Sequence, residues 1–160
     1  MALSLGYLTP KQTQLWDLKS SGVPEATIAR RLNITRQTVH QTIGTANTKI
    51  AEALEETAKI NKIETQKLFP EKGFLMGYSV HFKTPVFITF SAKNGIQVWY
   101  KHEGDCEKCR KLQTCRETLL AEARDRNFLI IEDPSKISPS KLAEALFSKI
   151  AGEIEKNENP

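Results

Sequence analysis

From Val39 onward the chain runs to Pro70 without a proline, and Gly44 is the only glycine in between. Proline and glycine are the residues that most reliably break a helix. A long uninterrupted helix is therefore the element around which the rest of the fold must be arranged. Within it Val39, Ile43, Ala46, Ile50, Ala53, Thr57 and Ile60 recur at spacings of four and three. That is roughly a 3.5-residue repeat over about three heptads, the pattern of a coiled-coil seam, with Leu54 and Ile63 flanking it. Its small residues would make a weak coiled coil alone, and the same stripe could instead pack on the chain's own second domain. The seam points to a homodimer through the long helix, in which an acid at Ile50 would separate the copies while the fold survives.

The chain before this helix is divided into short pieces. Thr9-Pro10 suits a helix start, threonine as cap and proline at the first helical position. Leu15, Trp16 and Leu18 supply apolar contacts, and Gly22 ends the segment. A second helix begins near Pro24-Glu25 and carries Ala26, Ile28, Ala29 and Leu32. Asn33-Ile34 makes a turn with Ile34 as its apolar plug, and Thr35 caps the third helix. With Val39 and Ile43 facing inward, Arg36, Gln37, His40 and Gln41 are left on the outward face. Those side chains can form hydrogen bonds with base edges in a DNA major groove. Lys11, Arg30, Arg31, Thr35 and Thr38 complete the candidate DNA-binding set.

The run Leu8-Thr9-Pro10-Lys11-Gln12, Gly22-Val23-Pro24 and Ile28-Ala29-Arg30-Arg31-Leu32-Asn33-Ile34-Thr35-Arg36-Gln37-Thr38-Val39 resembles a known class. It is similar to the helix-turn-helix of LuxR-type regulators and of region 4 of bacterial sigma factors, a pattern that archaeal regulators of the Tfx type also carry. The resemblance spans residues 8–50. Where that class usually has Gly-x-Thr or Gly-x-Ser before the second helix, this chain has Gly22-Val23-Pro24, and proline is compatible with a helix start. The resemblance implies double-stranded DNA binding through the third helix. The bland alternative is a three-helix bundle used for protein contacts. Charge favours DNA: Lys11, Lys19, Arg30, Arg31, Arg36 and Lys49 face only Asp17 and Glu25 over residues 9–50, which accounts for the whole chain's net charge of +4.

At 160 residues, 39% hydrophobic and 26% charged, the chain has the make-up of one or two soluble domains. It contains no apolar run long enough to span a membrane. Met1-Ala2-Leu3-Ser4-Leu5-Gly6 lacks the basic-then-apolar pattern of a signal peptide, so a cytoplasmic location is expected.

Residues 65–73 read as a connector. Period-two alternation follows in Phe74, Met76, Tyr78, Val80 and Phe82, with Lys83-Thr84-Pro85 as the turn. Val86–Phe90 forms a second strand, Asn94-Gly95 signals a type I′ hairpin, and Ile96, Val98 and Tyr100 form a third. A helix over about 110–126 follows, carrying Leu112, Cys115, Leu119 and Ala123 on one stripe. A short buried strand is expected from Phe128 to Ile131, then a final helix capped by Ser138-Pro139 with Leu142, Leu146, Ile150 and Ile154. The fold class is α+β: an N-terminal helix-turn-helix with an extended third helix over 1–64, and a β-β-β-α-β-α domain over 74–156.

The three cysteines lie within ten residues, in the order His102-x3-Cys106-x2-Cys109-x5-Cys115. An odd number so closely packed is a poor disulfide framework and a plausible metal cluster. The Cys-x2-Cys turn can place two thiolates about one ion, and Cys115 and His102 can complete a tetrahedral site. Structural zinc, an iron–sulfur cluster and free thiols remain open; the second would make the protein a redox sensor. Trp99 and Tyr100 beside Lys101 could stack on bases, though covering a sheet edge is the more ordinary role. There is no Gly-rich phosphate loop, nucleophile elbow or His-Glu-x-x-His. The expectation is a non-enzymatic, sequence-specific regulator of transcription. The alternatives are an iron–sulfur or thiol redox sensor of the same architecture, and a nucleic-acid-processing enzyme with a helix-turn-helix targeting arm.

Overall fold

The computed structural model describes residues 8–102, 104–129 and 133–158. In chain order the elements are α1 (Pro10–Ser20), α2 (Glu25–Leu32), α3 (Arg36–Ile60), β1 (Ile63–Phe69), a 3-10 turn (Pro70–Lys72), β2 (Phe74–Ser79), β3 (Thr84–Ser91), β4 (Gly95–Tyr100), a second 3-10 turn (Cys106–Lys108), α4 (Leu112–Asp125) and α5 (Pro139–Glu158). The class is α+β, with a four-stranded antiparallel sheet in the order β1-β2-β3-β4.

The start of α1 and the end of α2 each have a local cause. Thr9 and Gln12 form a reciprocal capping box, with Gln12 N–H donating to Thr9 Oγ1 at 3.1 Å and Thr9 N–H to Gln12 Oε1 at 3.0 Å. Asn33 takes the left-handed conformation (φ 52°), and Ile34 N–H donates to Ala29 O at 3.0 Å, closing α2 as a Schellman turn. The chain can then restart as α3 almost at once.

The long helix is present, but its apolar stripe is covered by the chain itself. Val39 and Ile43 close a small core with Leu15, Ile28 and Ala29. Further along, Ala46, Ile50, Leu54 and Ala58 share a larger core with Trp16 and the sheet residues Ile63, Leu75, Val86, Ile88 and Phe90. Ala53 and Thr57 are buried as well, while Ile60, the last seam position, is 65% exposed. The seam is therefore not open to a partner helix. Periodicity reports which face of a helix is apolar, not what covers it, and alanines suit close approach to a sheet as well as a coiled coil.

The chain divides into two compact units, Met1–Tyr100 and Lys101–Pro160. The division expected between residues 64 and 74 falls inside the first unit, because α3 and the sheet share one core. The connector expected there is instead β1, paired from Ile63↔Ser79 to Phe69↔Phe74 with an irregularity between Thr65 and Lys67. It is an edge strand whose Glu64, Thr65, Gln66 and Lys67 are exposed. Polar edges discourage pairing between molecules, and they also erase the alternation by which a strand is read.

Two turns differ from expectation. Strand β2 ends at Ser79, and Val80 and Phe82 lie in the following turn with side chains 55% and 64% exposed. Ser79 Oγ accepts from Phe82 N–H at 3.1 Å and fixes that turn. At Asn94-Gly95 only Gly95 has positive φ, and Ser91 pairs with Gly95 across a three-residue loop. A type I′ turn needs two left-handed residues; here Ser91 Oγ accepts from Asn94 N–H at 3.0 Å and favours the longer loop.

In the second unit α4 and α5 pack together. Leu119 and Ala123 of α4 are buried, as are Leu142, Leu146, Phe147, Ile150 and Ile154 of α5. Glu122 is fully buried and receives Arg126 Nε at 2.9 Å. The strand expected over 128–131 falls partly outside the described residues. Phe128 and Leu129 are not in a strand, and Leu129 is 81% exposed.

Candidate functional site

Two places carry the residues singled out from the sequence, one in each unit. In the first, α2 and the start of α3 stand against α1 through Leu15, Ile28, Ala29, Val39 and Ile43. With that side held, Arg36, Gln37, His40 and Gln41 are all exposed on α3. Lys11, Arg30 and Arg31 are exposed on the flanking helices. The polar stripe continues past Gln41 to Gly44, Thr45 and Thr48, also exposed. Thr45 and Thr48 turn their hydroxyls back to the carbonyls of Gln41 and Gly44, both at 3.1 Å.

Thr35 and Thr38 have local work to do. Thr35 Oγ1 accepts from Thr38 N–H at 3.1 Å, and the two hydroxyls lie 2.8 Å apart. They form the start of α3. Thr35→Ala is expected to lower the stability of the first unit by about 1 kcal/mol, read as a shifted urea midpoint. An unchanged midpoint would show that the cap contributes nothing.

His40 is tethered to α2. Its Nδ1 lies 3.3 Å from both carboxylate oxygens of Glu25, which also has Lys19 Nζ at 3.8 Å. Sequence reasoning missed this pairing of His40 with Glu25, since a contact over fifteen positions leaves no local pattern. It also missed Lys49 Nζ donating to Gln12 Oε1 at 3.1 Å, which ties the middle of α3 to the start of α1.

The second place is the cysteine segment. Cys106 opens the 3-10 turn, Cys109 follows it, and Cys115 lies in the first turn of α4. All three are free thiols, Cys109 exposed and the others half-buried. Burial raises the Cys115 thiol above its ordinary pKa, and the neighbouring Cys106 and Cys109 push it further. Cys106 Sγ is 3.6 Å from Ser140 Oγ, near the start of α5. A side chain added at Gly104 would meet the His102 ring, with Cδ2 at 3.2 Å and Nε2 at 3.6 Å. The imidazole thus lies over Gly104, whose carbonyl accepts from Cys106 N–H at 3.0 Å. Among the described residues, no three side chains of His, Cys, Asp or Glu already converge as a metal-binding group.

Trp99 is half-buried on β4, with its Nε1 donating to Thr89 Oγ1 at 3.1 Å. Tyr100 is met edge-on by Phe82 at 5.4 Å. Both rings are engaged in the sheet. No helix among the described residues is long and apolar enough to cross a membrane. Comparison with protein-family models, curated proteins and solved structures finds no match.

Proposed function

We propose that the protein is a sequence-specific, double-stranded-DNA-binding regulator of transcription that works as a homodimer and acts by binding rather than by catalysis. The observation that carries this reading is the start of α3. Val39 and Ile43 anchor it, while Arg36, Gln37, His40 and Gln41 stand exposed along one side. A helix held in this way can enter a major groove with those side chains toward the bases. Arginine suits the paired acceptors of guanine and glutamine the donor–acceptor pair of adenine. Lys11, Arg30 and Arg31 supply charge for the phosphates on either side. The resemblance of residues 8–50 to LuxR and sigma region 4 supports the same reading. Because the α3 seam is buried within the chain, the pairing of two copies uses another surface.

The test is to select binding sites from a pool of random duplexes and then to titrate variants. Arg36→Ala and Gln41→Ala are each expected to cost roughly 1–3 kcal/mol on the selected site and to relax sequence choice at one position. Arg30→Ala and Lys11→Ala are expected to weaken all duplexes about equally and to flatten the salt dependence. All four side chains are exposed, so the fold should be unaffected. If no sequence is enriched, or if Arg36→Ala and Gln41→Ala bind the selected site as the parent does, the reading fails.

A further inference from the structure

We propose that Cys106, Cys109 and Cys115 together bind one thiophilic divalent cation of the zinc class, and that this ion fastens the starts of α4 and α5 to the turn between them and β4. The backbone sets the spacing of the sulfurs. Cys109 N–H donates to Cys106 O at 3.2 Å and closes a 3-10 turn. In such a turn side chains three apart lie one above the other, which brings Cys106 and Cys109 to one side. Leu112 N–H then donates to Cys109 O at 3.2 Å, so the turn leads directly into α4. Cys115 follows within the first turn of that helix, its N–H bonded to Lys111 O at 2.8 Å.

Positively charged groups lie around the three sulfurs. Cys115 stands in the first turn of a fourteen-residue helix, where free N–H groups give a partial positive charge. Ser140, against Cys106, stands in the first turn of the twenty-residue α5. The thiol of Cys106 donates to Ser140 Oγ in the neutral form; once the sulfur is ionised, the hydroxyl can donate to it instead. Lys108, Arg110 and Lys111 are exposed around the turn. A cation would offset the repulsion between three thiolates held in so short a segment. His102, folded over Gly104, is the candidate fourth ligand. The sulfurs do not yet converge on a point, but each moves on a single χ1 rotation. Gathering them ties the 3-10 turn to the start of α4, so binding energy is also folding energy.

The experiment uses the full chain, purified reduced and metal-free, and titrates it with Co2+ and then Zn2+. One equivalent of Co2+ should produce a thiolate-to-cobalt charge-transfer band in the near ultraviolet, and one equivalent of Zn2+ should remove it. Zinc should shield all three thiols from a thiol-titrating reagent. It should also slow hydrogen exchange in the first turns of α4 and α5 while leaving α1 to α3 unchanged. Cys109→Ser should abolish the band. Ser140→Ala should weaken Co2+ roughly tenfold, as expected for a group that hydrogen-bonds a ligand. An unaltered affinity in His102→Ala would remove histidine from the ligand set. Three thiols equally reactive with and without zinc, or no charge-transfer band, would overturn the proposal. An iron–sulfur cluster in the isolated protein would overturn it in favour of that centre. If Cys109→Ser fails to fold, the band and thiol count of the unaltered protein still decide. No DNA is involved, so the outcome is independent of the regulator reading.

Discussion

Ile50→Glu is expected to unfold the whole unit from Met1 to Tyr100 rather than to separate a pair of folded copies. Ile50 is only 1% exposed and lies among Leu54, Leu75, Val86 and Ile88, where the α3 helix meets the sheet. The substitution removes a buried aliphatic side chain and puts a carboxylate in an apolar core with no cation beside it. Losing the side chain's burial costs about 2 kcal/mol, and an unpaired buried carboxylate costs several more or forces its own protonation. Together these reach at least about 4 kcal/mol, near the total stability of many small domains. Circular dichroism and urea titration would show the loss, with the helices and strands of the first unit melting together. A folded variant with an unshifted midpoint would mean that Ile50 is not in this core. A folded variant of halved mass would restore the coiled-coil reading of the seam.

Gly73→Val is expected to be nearly as damaging. Gly73 follows the 3-10 turn at Pro70–Lys72 with φ +59°, in the left-handed region. An added Cβ would collide with the backbone carbonyl oxygen of Phe90, and the ring of Trp16 lies 3.1 Å away. The neighbours cannot easily give. Phe90 N–H donates to Gly73 O at 2.7 Å, and Trp16 donates through Nε1 to Pro70 O at 3.2 Å while resting against Phe90 at 4.9 Å between ring centres. Left-handed backbone costs a side-chain-bearing residue about 1–2 kcal/mol, and overpacking adds about 1–3 kcal/mol. The sum should appear as a lowered urea midpoint with the slope retained. Gly73→Ala should fall between the parent and the valine variant. Parent-like stability in both would show that α1 and β3 can move apart freely.

The elements of the fold that depend on neighbours in sequence were legible. The cap at Thr9-Pro10, the turn at Asn33-Ile34, the cap at Thr35 and the apolar stripe of α5 are all set within a few residues of themselves. So was the outward placement of Arg36, Gln37, His40 and Gln41, because fixing Val39 and Ile43 inward on a helix leaves those positions no other side. The spacing of the cysteines was equally visible, and the structure adds Ser140, which nothing near them in sequence could suggest.

What the sequence by itself determined, then, is the set of helices, most of the strands and the polar face of α3, since periodicity and capping act over single turns. Tertiary structure alone decided what covers the α3 stripe, because a row of alanine and aliphatic residues fits a sheet as well as another helix. It alone made β1 a strand, since Glu64 to Lys67 lie exposed at a sheet edge and show no buried face to read. It alone buried Glu122, which is held by Arg126 in a place where an unpaired carboxylate would not be tolerated. It also moved the division of the chain to Tyr100. Helix and sheet there share one core, and sharing a core depends on which surfaces meet, not on the order in which they are written.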